Sequence, residues 1–261
     1  MMMRPAGRTT DAVLAGVRRA AMCATVVAAA CVRAAPVVRP PAEPAAPVAA
    51  AGATARSPAA RAGGNADLAP LADSATAAAL LADVRSFDPT ILVDARYAAP
   101  YNFTGAVLPG YEAQRALLRR EAAEALGRVQ AALRADGYGL KVYDGYRPVR
   151  ATEAMVAWTR RVRREDLLRE GYSAERSRHN LGLAVDCTLV ELATGRELRM
   201  GTAFDTFSAA AHTANATGEV AINRRRLVRA MAAEGFTSLS TEWWHFSYDV
   251  PDPVRFDVVI R

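Results

Sequence analysis

The stretch Ser177-Arg178-His179-Asn180-Leu181-Gly182-Leu183-Ala184-Val185-Asp186, SRHNLGLAVD, decides how this chain reads. It places one of only three histidines seven residues before an aspartate, with a glycine between them. Leu183 to Val190 reads as a buried strand, and SRHNLG before it as a loop. A loop turning at Gly182 can fold the His179 and Asp186 side chains together, which suits two ligands of a metal ion. A catalytic metal site needs a third protein ligand and an open position for water.

The third candidate lies far along the chain, in Glu242-Trp243-Trp244-His245. His179, Asp186 and His245 then supply two imidazoles and one carboxylate, a donor set that suits a catalytic zinc. Glu242 is the natural general base for the water such a zinc would activate. Geometry sets a condition. Ser238 to Tyr248, rich in Thr, Trp, Phe and Tyr, reads as a strand, and residues three apart on a regular strand face opposite ways. Glu242 and His245 share a cavity only if a bulge or turn intervenes. A lone histidine is more often a core or surface residue, and His212 is read that way. Two of the three histidines, however, sit in segments that also carry a well-placed carboxylate. Arg147, in Asp144-Gly145-Tyr146-Arg147-Pro148, has two readings that spacing leaves even: a salt bridge at a strand end, or an arginine meeting negative charge in a transition state.

The rest of the chain frames these residues. Its 261 residues suffice for one good-sized domain with an appendage. The net charge is +6. Eight arginines against three acids put five of those charges in residues 1–70. The remainder is nearly neutral, which argues against a nucleic-acid-binding groove. Arg4, Arg8, Arg18 and Arg19 precede the apolar run AAMCATVVAAACV, residues 20–32, which is followed by small residues. That order is the order of an export signal over residues 1–32, so the expected location is the periplasm or cell envelope. Ala28-Ala29-Ala30-Cys31 resembles a lipoprotein cleavage site, which would anchor the chain to a membrane through a lipidated Cys31. Residues 33–71, rich in Ala, Pro, Gly and Arg, read as a flexible linker, and the folded domain is expected over 72–261. Cys187 is the single cysteine of that domain, read as a small buried hydrophobe.

Within the domain, Ile91-Leu92-Val93 is a strand candidate and Asn102-Phe103-Thr104-Gly105 a turn. Leu118, Ala122, Leu126, Val129 and Leu133 share one face of a helix expected over about 112–135, stopped by Gly137 and Gly139. Leu140 to Tyr146 reads as a strand, and 150–169 as a second helix. A third helix is expected to be capped by Asn223 and ended by Gly235. Strands and helices interleave irregularly, which predicts an α+β fold with a mixed, mainly antiparallel sheet flanked by helices.

At these motifs the sequence resembles the VanX-type D-alanyl-D-alanine dipeptidases, zinc peptidases of family M15 related to D,D-carboxypeptidases and to the hedgehog signalling domain. The pattern Ser-x-His-x-x-Gly-x-Ala-x-Asp matches at Ser177, His179, Gly182, Ala184 and Asp186, and EWWH matches at 242–245. DGYRP at 144–148, NFTG at 102–105, MGTAFD at 200–205 and NRRRL at 223–227 follow the same family, over roughly residues 85–260. The resemblance implies that His179, Asp186 and His245 hold one zinc ion, that Glu242 acts as general base and then general acid, and that Arg147 stabilises the transition state. It also implies that Tyr97, Ser177 and Asp205 contact a small peptide substrate such as D-Ala-D-Ala. Two other readings stay open at this point: a D,D-carboxypeptidase acting on longer stem peptides, and a non-catalytic zinc-containing cell-wall-binding domain.

Overall fold

The computed structural model describes residues 69–170 and 177–261. The export segment, Cys31 and the linker up to residue 68 lie outside the described residues. The last residues of that expected linker are already part of the fold: Leu71 pairs with Arg255 in a parallel bridge, and Ala69 is buried.

The described strands are β1 (Leu81–Asp83), β2 (Leu92–Val93), β3 (Leu117–Arg119), β4 (Tyr138–Asp144), β5 (Ala184–Glu191), β6 (Thr237–Ser238) and β7 (His245–Ser247). The helices are α1 (Ser74–Leu80), α2 (Arg120–Ala135), α3 (Val149–Arg161), α4 (Asp166–Arg169) and α5 (Gly218–Ala233). β1 and β3 form a small antiparallel ribbon. The other five strands form one sheet in the order β2-β4-β5-β7-β6, in which only β2 and β4 run parallel. The fold is therefore α+β, with a mixed and mainly antiparallel sheet.

Helix α2 lays its apolar stripe on this sheet. Ala122, Leu126, Val129 and Leu133 are buried there with Leu140, Val142, Val185, Cys187 and Leu189 of the strands. Fully burying a leucine such as Leu126 contributes about 2–3 kcal/mol. The one large polar side chain on that face, Gln130, is satisfied: Oε1 accepts from Leu140 N at 2.7 Å, and Nε2 donates to Thr90 Oγ1 at 2.9 Å.

Four boundaries differ from the sequence expectation. Helix α2 begins at Arg120 rather than near 112, because Leu117–Arg119 pair with β1. The single helix expected over 150–169 is two, α3 and α4, broken where Arg163 adopts a φ of 58°. Asn223 is not a cap. It is buried inside α5, where its amide donates to Arg199 O at 3.0 Å. The strand expected over 238–248 is interrupted by a turn at 239–244, bonded from Glu242 N to Leu239 O and from His245 N to Glu242 O. That turn is the irregularity that brings Glu242 Oε2 within 3.9 Å of His245 Nδ1.

One irregularity in the sheet matters most. Val142 pairs with Cys187, but Asp144 pairs with Asp186, so Tyr143 is an extra residue on β4. A regular register would leave Asp144 on the same face as Val142 and Cys187, which lies in the core. The bulge re-aims it onto the face of Asp186. Asp186 in turn pairs with His245. Three strands thus present Asp144, Asp186 and His245 in one row.

Candidate metal centre and active site

The loop before β5 delivers His179. Ser177 Oγ accepts from His179 N, and Asn180 Oδ1 accepts from Ser177 N, so the turn Arg178–Leu181 starts with a capping box. Gly182 ends it with a left-handed φ of 65°, a conformation that glycine adopts without strain. The Asn180 amide donates to Arg147 O and to Thr152 Oγ1, both at 2.9 Å, which ties the loop to the start of α3.

Each imidazole is oriented by a bond on its far side. His179 Nδ1 lies 2.7 Å from Gly145 O. A carbonyl only accepts, so Nδ1 carries the proton and Nε2 keeps a free lone pair. His245 places Nε2 3.3 Å from Ser247 Oγ and turns Nδ1 toward Asp186. The three inward atoms form a near-equilateral triangle. His179 Nε2 to His245 Nδ1 is 3.2 Å, His245 Nδ1 to Asp186 Oδ1 is 3.0 Å, and His179 Nε2 to Asp186 Oδ1 is 3.4 Å. Three corners of a tetrahedron with bonds of about 2.0–2.1 Å stand about 3.3 Å apart, so the triangle is already the size a four-coordinate ion needs. The same three residues form the metal-ligand group found among the described residues.

Charge points the same way. Asp144, Asp186, Asp205 and Glu242 all act on this neighbourhood, with one guanidinium, Arg147, among them. Burial pushes the Glu242 carboxyl up to about 8, and the nearby Asp186 charge adds to the shift. Enclosure, then the Asp186 charge, raises Asp205 well above the ordinary range. Burial opposes ionisation of Asp186 too, but the two imidazoles outweigh it and hold that carboxyl below the usual range. A divalent cation held by the triangle would relieve this crowding of acids.

The other residues expected from the sequence gather around the triangle. Glu242 is buried, with Oε2 3.9 Å from His245 Nδ1. Arg147 Nη2 is 3.9 Å from Asp186 Oδ2. Tyr97 is buried under that guanidinium, its ring centroid 5.1 Å from Cζ, and its hydroxyl donates to Asp205 at 3.1 Å. Asp205 is half-buried and holds a left-handed φ of 59°. Ser177 has a structural place as the cap of the His179 turn. His212 stands outside the metal-ligand group; its carbonyl accepts from Arg224 Nη1. Three participants carried no assignment in the sequence: Asp144, Tyr111 and Ser247. Asp144 had a signal in its spacing of three to Arg147. Tyr111, thirty-three residues before Asp144 in sequence, had none.

A His-Asp-His triangle, two members buried and His245 half-buried, flanked by an acid and a guanidinium, defines a class: candidate metal-dependent hydrolases. A family model described as D-Ala-D-Ala dipeptidase, peptidase M15, matches residues 77–254, and the chain belongs to that family. It is 38% identical over 169 residues to a D-alanyl-D-alanine dipeptidase of Enterococcus faecium, covering 59% of this chain and 83% of that protein. It is 32% identical over 168 residues to the enzyme of that name from Escherichia coli strain K12, covering 64% and 83%. Among solved structures, a vancomycin-resistance D,D-dipeptidase in complex with a D-Ala-D-Ala phosphinate analogue is 21% identical. It covers 65% of this chain and 66% of that one, with a TM-score of 0.36.

Proposed function

We propose that this chain is a zinc-dependent D,D-dipeptidase that hydrolyses D-Ala-D-Ala or a similar short D-amino-acid dipeptide. The observation that carries the reading is the triangle of His179 Nε2, Asp186 Oδ1 and His245 Nδ1 with Glu242 and Arg147 beside it. A purely structural metal site has no use for either of those two flanking groups, which disfavours a non-catalytic wall-binding domain.

His179, Asp186 and His245 would hold zinc, which when bound supplies Lewis acidity to a water molecule and to the scissile carbonyl. The chain's own groups do the rest. Glu242 takes the proton of the attacking water and later delivers it to the leaving amine. Its enclosed position, with Oε2 3.9 Å from His245 Nδ1, suits that double duty. Arg147 faces the negative charge that develops on the carbonyl oxygen. Asp205, which accepts the Tyr97 hydroxyl, offers a carboxyl that suits a free ammonium, whose own charge would favour the ionised form. A free dipeptide brings its ammonium that close to the scissile bond; a longer stem peptide does not. That favours the dipeptidase over the carboxypeptidase reading.

The basic-then-apolar order of residues 1–32 supports export to the cell envelope, with Cys31 the candidate anchor, and there the activity would serve peptidoglycan turnover. Fractionation of cells expressing the full chain, with and without Cys31→Ala, tests this part. The central test is hydrolysis of D-Ala-D-Ala beside its L-containing stereoisomers and a stem pentapeptide, before and after chelation. Cleavage confined to the D,D-dipeptide and lost on chelation is expected. Glu242→Gln should lower kcat by about 10²–10⁴-fold while zinc stoichiometry stays at one, the range of general acid–base catalysis. Full activity in E242Q, or activity that ignores chelation, overturns the reading.

A further inference from the structure

We propose that Tyr111 and Asp144 are positioning residues that lock the Arg147 guanidinium in place, a relay that rests on the role given to Arg147 above. Asp144 Oδ2 accepts both Nε and Nη2 of Arg147, at 3.0 and 2.8 Å, and its other oxygen accepts the Tyr111 hydroxyl at 2.7 Å. These contacts are buried: Asp144 is 2% and Tyr111 4% exposed. The bulge at Tyr143 is what makes them possible, because it turns Asp144 from the core onto the face of Asp186.

The arrangement fixes the guanidinium in two directions. Asp144 holds one edge within its plane, and the Tyr97 ring lies against its flat face. Nη2, bonded to Asp144, also lies 3.9 Å from Asp186 Oδ2, which places the guanidinium beside the triangle where a substrate carbonyl would sit. Tyr111 supports both constraints, since its own ring packs against Tyr97 with centroids 5.9 Å apart. Burial raises the Tyr111 hydroxyl well above its ordinary pKa, so it remains a proton donor at any working pH. Without that donor, a buried carboxylate oxygen would stand unpaired, and Asp144 would be free to swing toward another partner, taking the guanidinium with it. A displacement of about 1 Å at a catalytic group is enough to lower turnover markedly.

Tyr111→Phe is the informative variant, because it keeps the ring packing and removes only the hydroxyl. Steady-state kinetics on D-Ala-D-Ala with the zinc-loaded full chain should show kcat reduced about 10-fold with KM and zinc stoichiometry unchanged, as for a group made useful only in the transition state. Arg147→Ala should lower kcat by about 10²–10³-fold, the range for loss of one oxyanion donor. In the R147A background, Y111F should then have no further effect. Millimolar guanidinium ion should partly restore R147A and restore R147A/Y111F several-fold less, because the cradle for the free cation is damaged. Asp144→Glu, which keeps the charge and lengthens the arm, gives a second route if Y111F is unstable: it should lower kcat and leave zinc bound. Equal losses from Y111F in both backgrounds, equal rescue of the two alanine variants, or an unaltered kcat in folded Y111F or D144E would overturn the relay. An R147A chain as fast as the parent would instead overturn the role of Arg147 and leave the relay without purpose.

Discussion

Gly182 stands between the first two candidate metal ligands, and replacing it with alanine gives a quantity that can be worked from the structure. Its backbone has a φ of 65° and a ψ of 22°. An L-residue in that left-handed region costs about 1–2 kcal/mol. A Cβ there would lie 2.8 Å from Leu81 Cδ2 and 2.9 Å from Arg119 N. The leucine end can move, but Arg119 N is backbone and is held by its own bond to Gly182 O at 2.8 Å. Relieving such an overlap costs about 1–3 kcal/mol. The sum, about 2–5 kcal/mol, is a large part of the stability of an ordinary domain, about 5–15 kcal/mol. The strain also reaches the site, because Gly182 N donates to His179 O at 3.0 Å. Urea unfolding of metal-stripped G182A, followed by tryptophan fluorescence, should therefore show a loss of about 2–5 kcal/mol, and competition with a chromogenic chelator should show weakened zinc binding. Stability within about 1 kcal/mol of the parent, below the αL cost alone, together with unchanged zinc affinity, would refute the argument.

Two further outcomes follow from other parts of the site's support. Ser247→Ala removes the hydroxyl beside His245 Nε2; zinc affinity measured by chelator competition should fall about 10-fold or more, the usual effect of losing a ligand's outer partner, with thermal stability of the stripped protein little changed. Arg224 is buried in α5 and donates to the carbonyls of Met200, His212 and Ala210 at 2.9, 2.7 and 3.0 Å, which pins the segment that carries Asp205. Arg224→Lys cannot reproduce that planar fork. Calorimetry should show it destabilised by about 1–3 kcal/mol, the cost of leaving a buried acceptor such as the Met200 carbonyl without its donor.

The meeting of the three candidate metal ligands was legible in the sequence because local chain geometry almost dictates it. His179 and Asp186 flank a glycine that must turn, and Glu242 and His245 could share a cavity only if the expected strand broke between them, which it does at 239–244. The α+β class was legible for a similar reason, since α2, β4 and β5 each carry a clear period of their own. The boundaries were less so. Leu118 fits the helical spacing of Ala122 and Leu126 as well as any residue, yet its neighbours Leu117 and Arg119 pair with β1. No helical periodicity registers a partner strand thirty-six residues away in the chain. Asn223 has the chemistry of a cap, but a carbonyl from Arg199 claims its amide in the middle of α5. Nothing at Arg163 announces the break between α3 and α4, for neither glycine nor proline stands there.

The support of Arg147 was the least legible feature, and the reason is physical. Spacing alone left Arg147 evenly balanced between a salt bridge and a catalytic role; the structure shows the salt bridge, and the proposed role is compatible with it. Asp144 holds the guanidinium at Nε and Nη2, and that same Nη2 lies 3.9 Å from Asp186 Oδ2, so the salt bridge itself stands beside the triangle. A surface ion pair of that kind contributes little, but this one is buried, with side-chain exposures of 11% and 1%, and a buried pair survives only if every remaining polar atom is satisfied. Tyr111 meets that demand for Asp144. Its position is set by a different part of the chain, packed against Tyr97 and Ile260 rather than by any motif near 144–148. The same burial that makes the pair expensive restricts its direction, so under the proposed role the aim of Arg147 would rest on Asp144 and Tyr111.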